Sequence, residues 1–455
     1  MTDPPVQTQP SDDALALARL ALAYDIADLA PGEREHLLDV VRDTLGCILA
    51  GSRLPEARGA AALALADGRG VAGLIGTAGS TSSAMAALVN ATAGVSLELD
   101  EGSQFAVNHP AIHILPPALA VAQEARASGP ALLGAVLAGY EIAARVGAAT
   151  RLRDAVHPFG THGVVGGAAA AARLLGFDAV QTARAIEVAA GLCVASSQMA
   201  ANAGASSRNL CTGFTAHNAV MAAKMVQAGF CGEPGALTSV FGKILGSRFD
   251  IPAALADGPL FITRNYFKLY ACSRWNHAPI EAAATLMAGG LDPHQIAAVQ
   301  VWTFDPATRL AFTRIANGYA AKHSIPFNVA ARLLYGRNDM EVYSDAMALA
   351  PAILDLMAKI TVEEDPALTA LLPQVRAARV RVRLRSGEVL IGESRHPRGG
   401  FDNPLTRAEL IAKFEGLAAR ALTPAGIARV LRAVERLPEA DDIDGLSAAL
   451  ASGAD

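Results

Sequence analysis

Aromatic residues are scarce in this chain. Phe, Trp and Tyr make up 5% of 455 residues, although 52% of positions are hydrophobic. The apolar mass therefore comes from Ala, Leu and Val, small side chains that let helix backbones approach closely. Cysteine is also rare, and Cys47, Cys193, Cys211, Cys231 and Cys272 are scattered and odd in number. No CxxC or Cys/His ligand spacing links them, which disfavours a zinc site and suits a reducing, cytoplasmic setting. A strong charge of either sign is missing too: the net charge is -5 and the pI about 6.1. Nothing in that balance suggests a nucleic-acid partner. Charged, Gly or Pro residues break every apolar run before membrane-spanning length, so no membrane association is expected. The start has neither a basic region nor an apolar core of a signal peptide. Residues 1–12 read as a polar, disordered tail.

What is present is helix after helix. The length exceeds what a single core usually serves, so two domains are expected. Leu38, Val41, Leu45 and Ile48 recur at helical spacing across 32–50, with Gly51 as a stop. Further helices are expected over 130–147, 166–175 and 215–228. The character changes after about 262. Residues 299–304 alternate like a strand, and Arg379-Val380-Arg381-Val382-Arg383-Leu384-Arg385 alternates strictly. Ser386-Gly387 then turns the chain into a returning strand at 388–391. The arginine face is either a solvated outer face or an anion contact. Thr406-Arg407-Ala408-Glu409 forms a capping box, and Thr423-Pro424 opens another helix. The reading is mainly α with an α+β insertion: helical over 13–264, a smaller α/β lid over 265–395, and a helical return over 396–455.

The chemistry concentrates in Glu98-Leu99-Asp100-Glu101-Gly102-Ser103, followed by Asn108-His109-Pro110. Three carboxylates fall within four positions, between apolar flanks at 84–91 and 112–119. Burying unpaired charge is costly, so the block needs a reason other than solvation. Carboxylates beside a histidine can relay protons, bind a metal or orient a cation. His109 and His113, four apart, share a helix face but lack a third ligand. The stretch from His157 to Gly167 is glycine-rich and runs into an Ala-rich helix. Its glycines serve either an anion at a helix N-terminus or close packing. It carries no GxGxxG fingerprint and follows no strand. Ser206-Ser207-Arg208 places a guanidinium able to clamp a carboxylate. Lys268-Leu269-Tyr270-Ala271-Cys272-Ser273-Arg274-Trp275-Asn276-His277 packs basic groups around a thiol at the junction of the two regions, where small-molecule sites form.

In order and spacing these segments, with His323-Ser324-Ile325-Pro326-Phe327 and Asp402-Asn403-Pro404-Leu405, resemble the MmgE/PrpD family over about residues 15–435. That family includes 2-methylcitrate dehydratases, cis-aconitate decarboxylase and iminodisuccinate epimerase. The resemblance implies a large helical domain with an α/β lid, a homodimer, an active site between the domains, and no metal or organic cofactor. It places the family's catalytic aspartate on Glu98, its two histidines on His109 and His157, and two lysines on Arg208 and Lys268. The acidic block departs from the family's Asp-x-Asp-Asp-Thr, with one extra residue before His109 and the threonine absent or replaced by Ser103. Arg208 keeps its charge but cannot carry a proton. Phe327 stands where the decarboxylase branch has a tyrosine.

The implied chemistry is proton abstraction from carbon next to a carboxylate of a small di- or tricarboxylate. His109 and His157 are the expected base and acid. Glu98 or Asp100 would orient an imidazole, and Lys268 is a second acid. Arg208 and Arg274, with Ser103 and His277, are the expected substrate-binding groups. The missing phenol at Phe327 tilts the reading slightly toward an epimerase. The alternatives are a lyase of the dehydratase or decarboxylase type and a non-catalytic polycarboxylate-binding paralogue.

Overall fold

The structure, a computed structural model, describes residues 9–451. Helix periodicity, caps and small side chains account for its larger part. Pro31–Gly51, Ser83–Val95, Pro110–Ala125, Gly129–Ala148, Gly163–Leu174 and Ser207–Gln227 pack on one another as a helical body. Alanine and glycine make that packing close. A Cβ added to Gly139 would lie 2.7 Å from the Gly166 carbonyl oxygen, and one added to Gly166 would lie 2.2 Å from that of Gly139. Two helix backbones therefore touch at this crossing, which larger residues would forbid. Gly129–Ala148 is the one helix among the described residues long and apolar enough to cross a membrane. It is buried between neighbouring helices, with Glu141 and Arg145 one turn apart at 3.9 Å.

The segment expected as a lid holds a four-stranded mixed sheet. Ile360–Glu364 runs parallel to Ile296–Thr303, which pairs antiparallel with Ala378–Leu384, and that strand pairs with Val389–Ser394. Val299, Val301, Val380 and Val382 point inward and share a core with Ile280, Ile325 and Phe327 from the covering helices. Arg379 and Arg381 point outward. They are answered within the sheet by Glu393 at 2.7 Å and Gln300 at 2.6 Å, and both flank the Trp302 ring. The basic face is thus a cross-strand network. The same core takes in Cys47, Ala50, Leu97, Leu99 and Leu417 from the helical body. The chain returns through Arg407–Ala418, opened by the Thr406–Glu409 capping box, and that helix packs on Pro31–Gly51.

Two expectations are corrected. Residues 1–8 of the proposed tail lie outside the described residues, but positions 9–12 are not loose. Ser11 caps the helix Asp12–Ala23 and donates to Glu187 from its backbone N–H at 3.0 Å and its hydroxyl at 2.7 Å. The helix expected over 215–228 begins at Ser207. Its first two turns mix polar and apolar residues and hide the period, because Arg208 and Asn209 face inward to a polar site.

Candidate active site

The acidic block joins the helices Ser83–Val95 and Pro110–Ala125. Leu97 and Leu99 are drawn into the lid core, and Glu98 and Asp100 are left facing a cluster of cations. Glu98 sits at φ +58, the left-handed region that a side chain with a Cβ rarely adopts. The backbone is pinned from two sides: Lys322 donates to the Leu97 carbonyl at 3.0 Å and Lys413 to that of Leu99 at 2.9 Å.

The three carboxylates have three different roles. Glu98 pairs with Arg208, meets the Lys268 ammonium at 3.2 Å, and lies 3.9 Å from His323 Nε2. Burial opposes its charge, but Arg208, Lys268, His323 and His109 outweigh that and hold its carboxyl well below the usual range. Asp100 accepts from His109 Nδ1 at 2.8 Å and stands 3.6 Å from Lys268. Against the same burial penalty, His109 and Lys268 lower its pKa. Glu101 faces away and accepts from the Ala111 N–H at 2.8 Å, Tyr140 at 3.1 Å and Asn265 at 3.2 Å. No cation answers it, and burial pushes it up to about 8. Lys268 is fully buried, yet Glu98 and Asp100 overcome the desolvation and raise its pKa above the ordinary lysine value.

The histidines are fixed in different tautomers. His109 immediately precedes the helix Pro110–Ala125 and gives its Nδ1 proton to Asp100, so Nε2 carries a lone pair. That nitrogen lies 3.3 Å from the Tyr266 hydroxyl. His157 accepts the Phe159 backbone N–H at Nδ1, 3.1 Å away, so its proton sits on Nε2. Its own backbone N–H donates to the Ser196 carbonyl at 2.9 Å. Both rings meet the edge or face of Phe159, with centroids 4.8 and 5.0 Å away, and Arg208 lies over the same phenyl at 3.9 Å. Burial lowers both imidazole pKa values. Arg208 and His323 deepen the effect at His157, whereas Asp100 partly restores His109.

A cavity of about 380 Å³ opens against this wall. Of the residues singled out in the sequence, Glu98, Ser103, His109, His157, Arg208 and Arg274 line it. Asp100, Lys268 and His277 stand behind the lining. His277 is fully buried and its Nδ1 accepts from Arg274 at 3.1 Å, so it braces that arginine instead of facing a ligand. Arg274 also donates to the Pro397 and Arg398 carbonyls, each at 3.0 Å, and its guanidinium lies 4.8 Å from the Tyr266 ring centre. Ser103 pairs through its backbone with Asn108, closing a small hairpin.

The remaining sequence alternatives resolve locally. His113 donates Nδ1–H to the His109 carbonyl at 2.7 Å and is a core residue. Among the described residues no group of three or more His, Cys, Asp or Glu is placed to hold a metal ion. Gly166 abuts Gly139, and Gly163 abuts the His113 ring, so the glycine-rich stretch serves packing. Cys272 is buried outside the cavity lining, and burial pushes its thiol up to about 12, which disfavours a thiolate nucleophile.

Among the lining residues given no role from the sequence are Tyr266, Arg376 and His323, the last quoted only as part of the resemblance. His323 gives Nδ1–H to the Tyr319 carbonyl at 3.2 Å, and its Nε2 has no hydrogen-bond partner. Phe327 is buried against Tyr343 and does not reach the cavity. The phenol that does reach it belongs to Tyr266, two residues before Lys268 in an extended segment, a spacing that was the available signal.

Two family models match the chain. The MmgE/PrpD N-terminal domain matches residues 15–244 and the MmgE/PrpD C-terminal domain residues 270–438. A cis-aconitate decarboxylase-like protein, oryM of Aspergillus oryzae, is 25% identical over 453 residues, covering 91% of each chain. Human cis-aconitate decarboxylase is 24% identical over 391 residues, covering 80% of this chain and 79% of its own.

Proposed function

The chain belongs to the MmgE/PrpD family, and from that premise we propose a lyase-type enzyme that removes a proton from carbon beside a carboxylate of a small di- or tricarboxylate. One observation carries this reading: the two cavity histidines are held in complementary states, His109 with a lone pair on Nε2 and His157 with a proton there. His109 is the base. Asp100 fixes its tautomer and steadies the imidazolium that forms. The charge leaving the C–H bond collects on the adjacent carboxylate, where Arg208, Arg274 and the Nε2–H of His157 offset it. A neutral imidazole can polarise an oxygen in this way without transferring its proton fully. Lys268, clamped by two carboxylates behind the wall, is a fixed cation and not an acid. Glu98 holds Arg208 and Lys268 in place.

Elimination uses the whole set, and the relatives that match are named for lyase chemistry. A direct decarboxylation removes no C–H proton and must instead protonate the carbon that carbon dioxide leaves, which calls for His109 as imidazolium, the form that burial disfavours. Epimerisation is the second reading, favoured by the lone pair and the proton that the two imidazoles offer to one ligand. The sequence-based tilt toward it weakens, because the phenol missing at Phe327 is supplied at Tyr266. A binding-only paralogue has no need of a buried carboxylate–imidazole pair.

The test is incubation in D2O with malate, citrate, cis-aconitate and aspartate in turn. Loss of water or carbon dioxide supports a lyase; deuterium gain with inversion supports the epimerase. His109→Ala and His157→Ala should each lower the rate by about 100-fold or more. Binding of these acids by the wild type, with neither exchange nor conversion, refutes both enzyme readings.

A further inference from the structure

On the lyase reading, the proton must be taken from carbon and another given to the leaving hydroxyl. The histidine and lysine groups fill the second role poorly. His157 offers only the proton of a neutral imidazole, and Lys268 does not reach the cavity. We propose that Tyr266 is the general acid of the reaction, and that its phenol and His109 form a single proton-exchanging pair.

Three observations carry this. First, Tyr266 Oη lies 3.3 Å from His109 Nε2, the nitrogen that takes the carbon proton, and both groups line the cavity. A carbon in contact with Nε2 has its neighbouring substituent within reach of Oη. Second, cations flank the phenol and offset part of the burial that raises its pKa above the ordinary value. Arg274 lies 4.8 Å from the ring centre and Arg376 6.0 Å from it. Third, the backbone makes room for the hydroxyl. Gly102 and Tyr266 are antiparallel bridge partners, with N–H to carbonyl bonds of 3.0 and 2.8 Å. A Cβ on residue 102 would lie 2.5 Å from Tyr266 Oη and 2.7 Å from its ring carbon. Glycine at 102 and the phenol at 266 are therefore one feature: any larger residue would push the hydroxyl off its place.

The step balances. The C–H proton passes first to His109 Nε2, leaving a carbanion whose charge the adjacent carboxylate holds, and the C=C bond forms as the leaving group departs. The C–O bond breaks, and its oxygen leaves as water with the Tyr266 proton. Phenolate and imidazolium then stand one hydrogen bond apart, and Nε2–H returns its proton to Oη, which restores both groups. Because acid and base are so close, they work on one face of the substrate. The elimination they perform is syn.

The experiment compares wild type, Tyr266→Phe and Gly102→Ala, with malate and citrate as probes. Two rates are followed: C–H exchange in D2O and alkene formation by ultraviolet absorbance. Tyr266→Phe should keep exchange and substrate binding but lower alkene formation by about 100-fold, the usual yield of a positioned acid. Gly102→Ala, which retains the phenol but displaces it, should lower alkene formation in the same direction. Deuterium-labelled malate should show syn loss. Alkene formation at the wild-type rate in Tyr266→Phe overturns the inference. So does an equal fall in exchange and elimination, which would make the residue a positioning group, or anti loss from labelled malate. If wild type exchanges protons but releases no alkene from either probe, the lyase reading falls and this inference with it. Those failures stay distinct, since only the last appears in the unmodified enzyme.

Discussion

Glu98 is the charge on which the buried cluster balances. Around it sit Arg208, Lys268 and Asp100, two cations and two anions in all, with side chains at most 4% exposed. Replacing Glu98 with Gln keeps the shape and removes one anion. Arg208 and Lys268 are then left with Asp100, which is already bonded to His109. At 3.2 Å, and with the effective dielectric of about 20 that suits such sites, the Lys268–Glu98 attraction alone is about 5 kcal/mol. Relief of the desolvation of Glu98 returns part of that. Breaking one partner of a buried pair typically costs about 3–5 kcal/mol, and that is the loss expected. The assay is urea unfolding followed by circular dichroism at neutral pH, where a change of this size lowers the midpoint by about 0.5–1 M for a chain of this length. The diagnostic comparison is the double variant Glu98→Gln with Arg208→Met, which restores neutrality and should recover at least half the loss. An unchanged midpoint for Glu98→Gln, or a double variant equal to the sum of the singles, would refute the charge-balance argument.

Other expectations follow from the same geometry. Asp100→Asn should leave binding of a polycarboxylate probe nearly intact but lower turnover by about 10³- to 10⁴-fold, since an amide can donate to Nδ1 and strip Nε2 of its lone pair; steady-state kinetics with a separate binding isotherm checks this. Stability should peak near pH 6.5. Burial depresses His113 to about 4, His162 to about 3 and His323 to about 4, so their contribution is complete above the unfolded value of about 6.5 and is lost as pH falls. Glu101 at about 8 and Glu141 at about 7 are raised, so theirs is complete below the unfolded value near 4.5 and is lost as pH rises through 7 to 8. A urea midpoint that rises from pH 6.5 to pH 5, or from 6.5 to 8, contradicts this. Gly139→Val should destabilise by about 1–3 kcal/mol or more, because the added atoms meet the Gly166 carbonyl; an unaltered unfolding midpoint would show that the crossing can yield.

Much of this was legible in the residues. Helix periods at 32–50 and 130–147, the alternating strand at 379–385 and the capping box at Thr406 announce themselves locally, because each pattern repeats over a single element. The acidic block stood out because charge between apolar flanks demands partners. What stayed hidden was pairing across distance. Nothing in Glu98-Leu99-Asp100 says which carboxylate takes Arg208 and which takes His109. That depends on Leu97 and Leu99 being pulled into the lid core. His277 shares a basic run with Arg274, yet helix geometry turns it behind that arginine. Tyr266 carries its meaning only through Gly102, 164 positions earlier and adjacent across a backbone bridge.

The pinned acidic segment also sets an order of events during folding. Glu98 needs Arg208 and Lys268, and the Leu99 carbonyl needs Lys413, groups separated by 110, 170 and 314 positions. Contacts so far apart in sequence form slowly, since long loops must close before they are rewarded. A nascent chain made from the N-terminus therefore carries Glu98 without its full set of cations until Lys268 has emerged, and the Leu99 carbonyl without its clamp until Lys413 has. Helical structure will precede assembly of the site, and a chain cut short before Lys413 will lack one of the two clamps that hold its acidic segment.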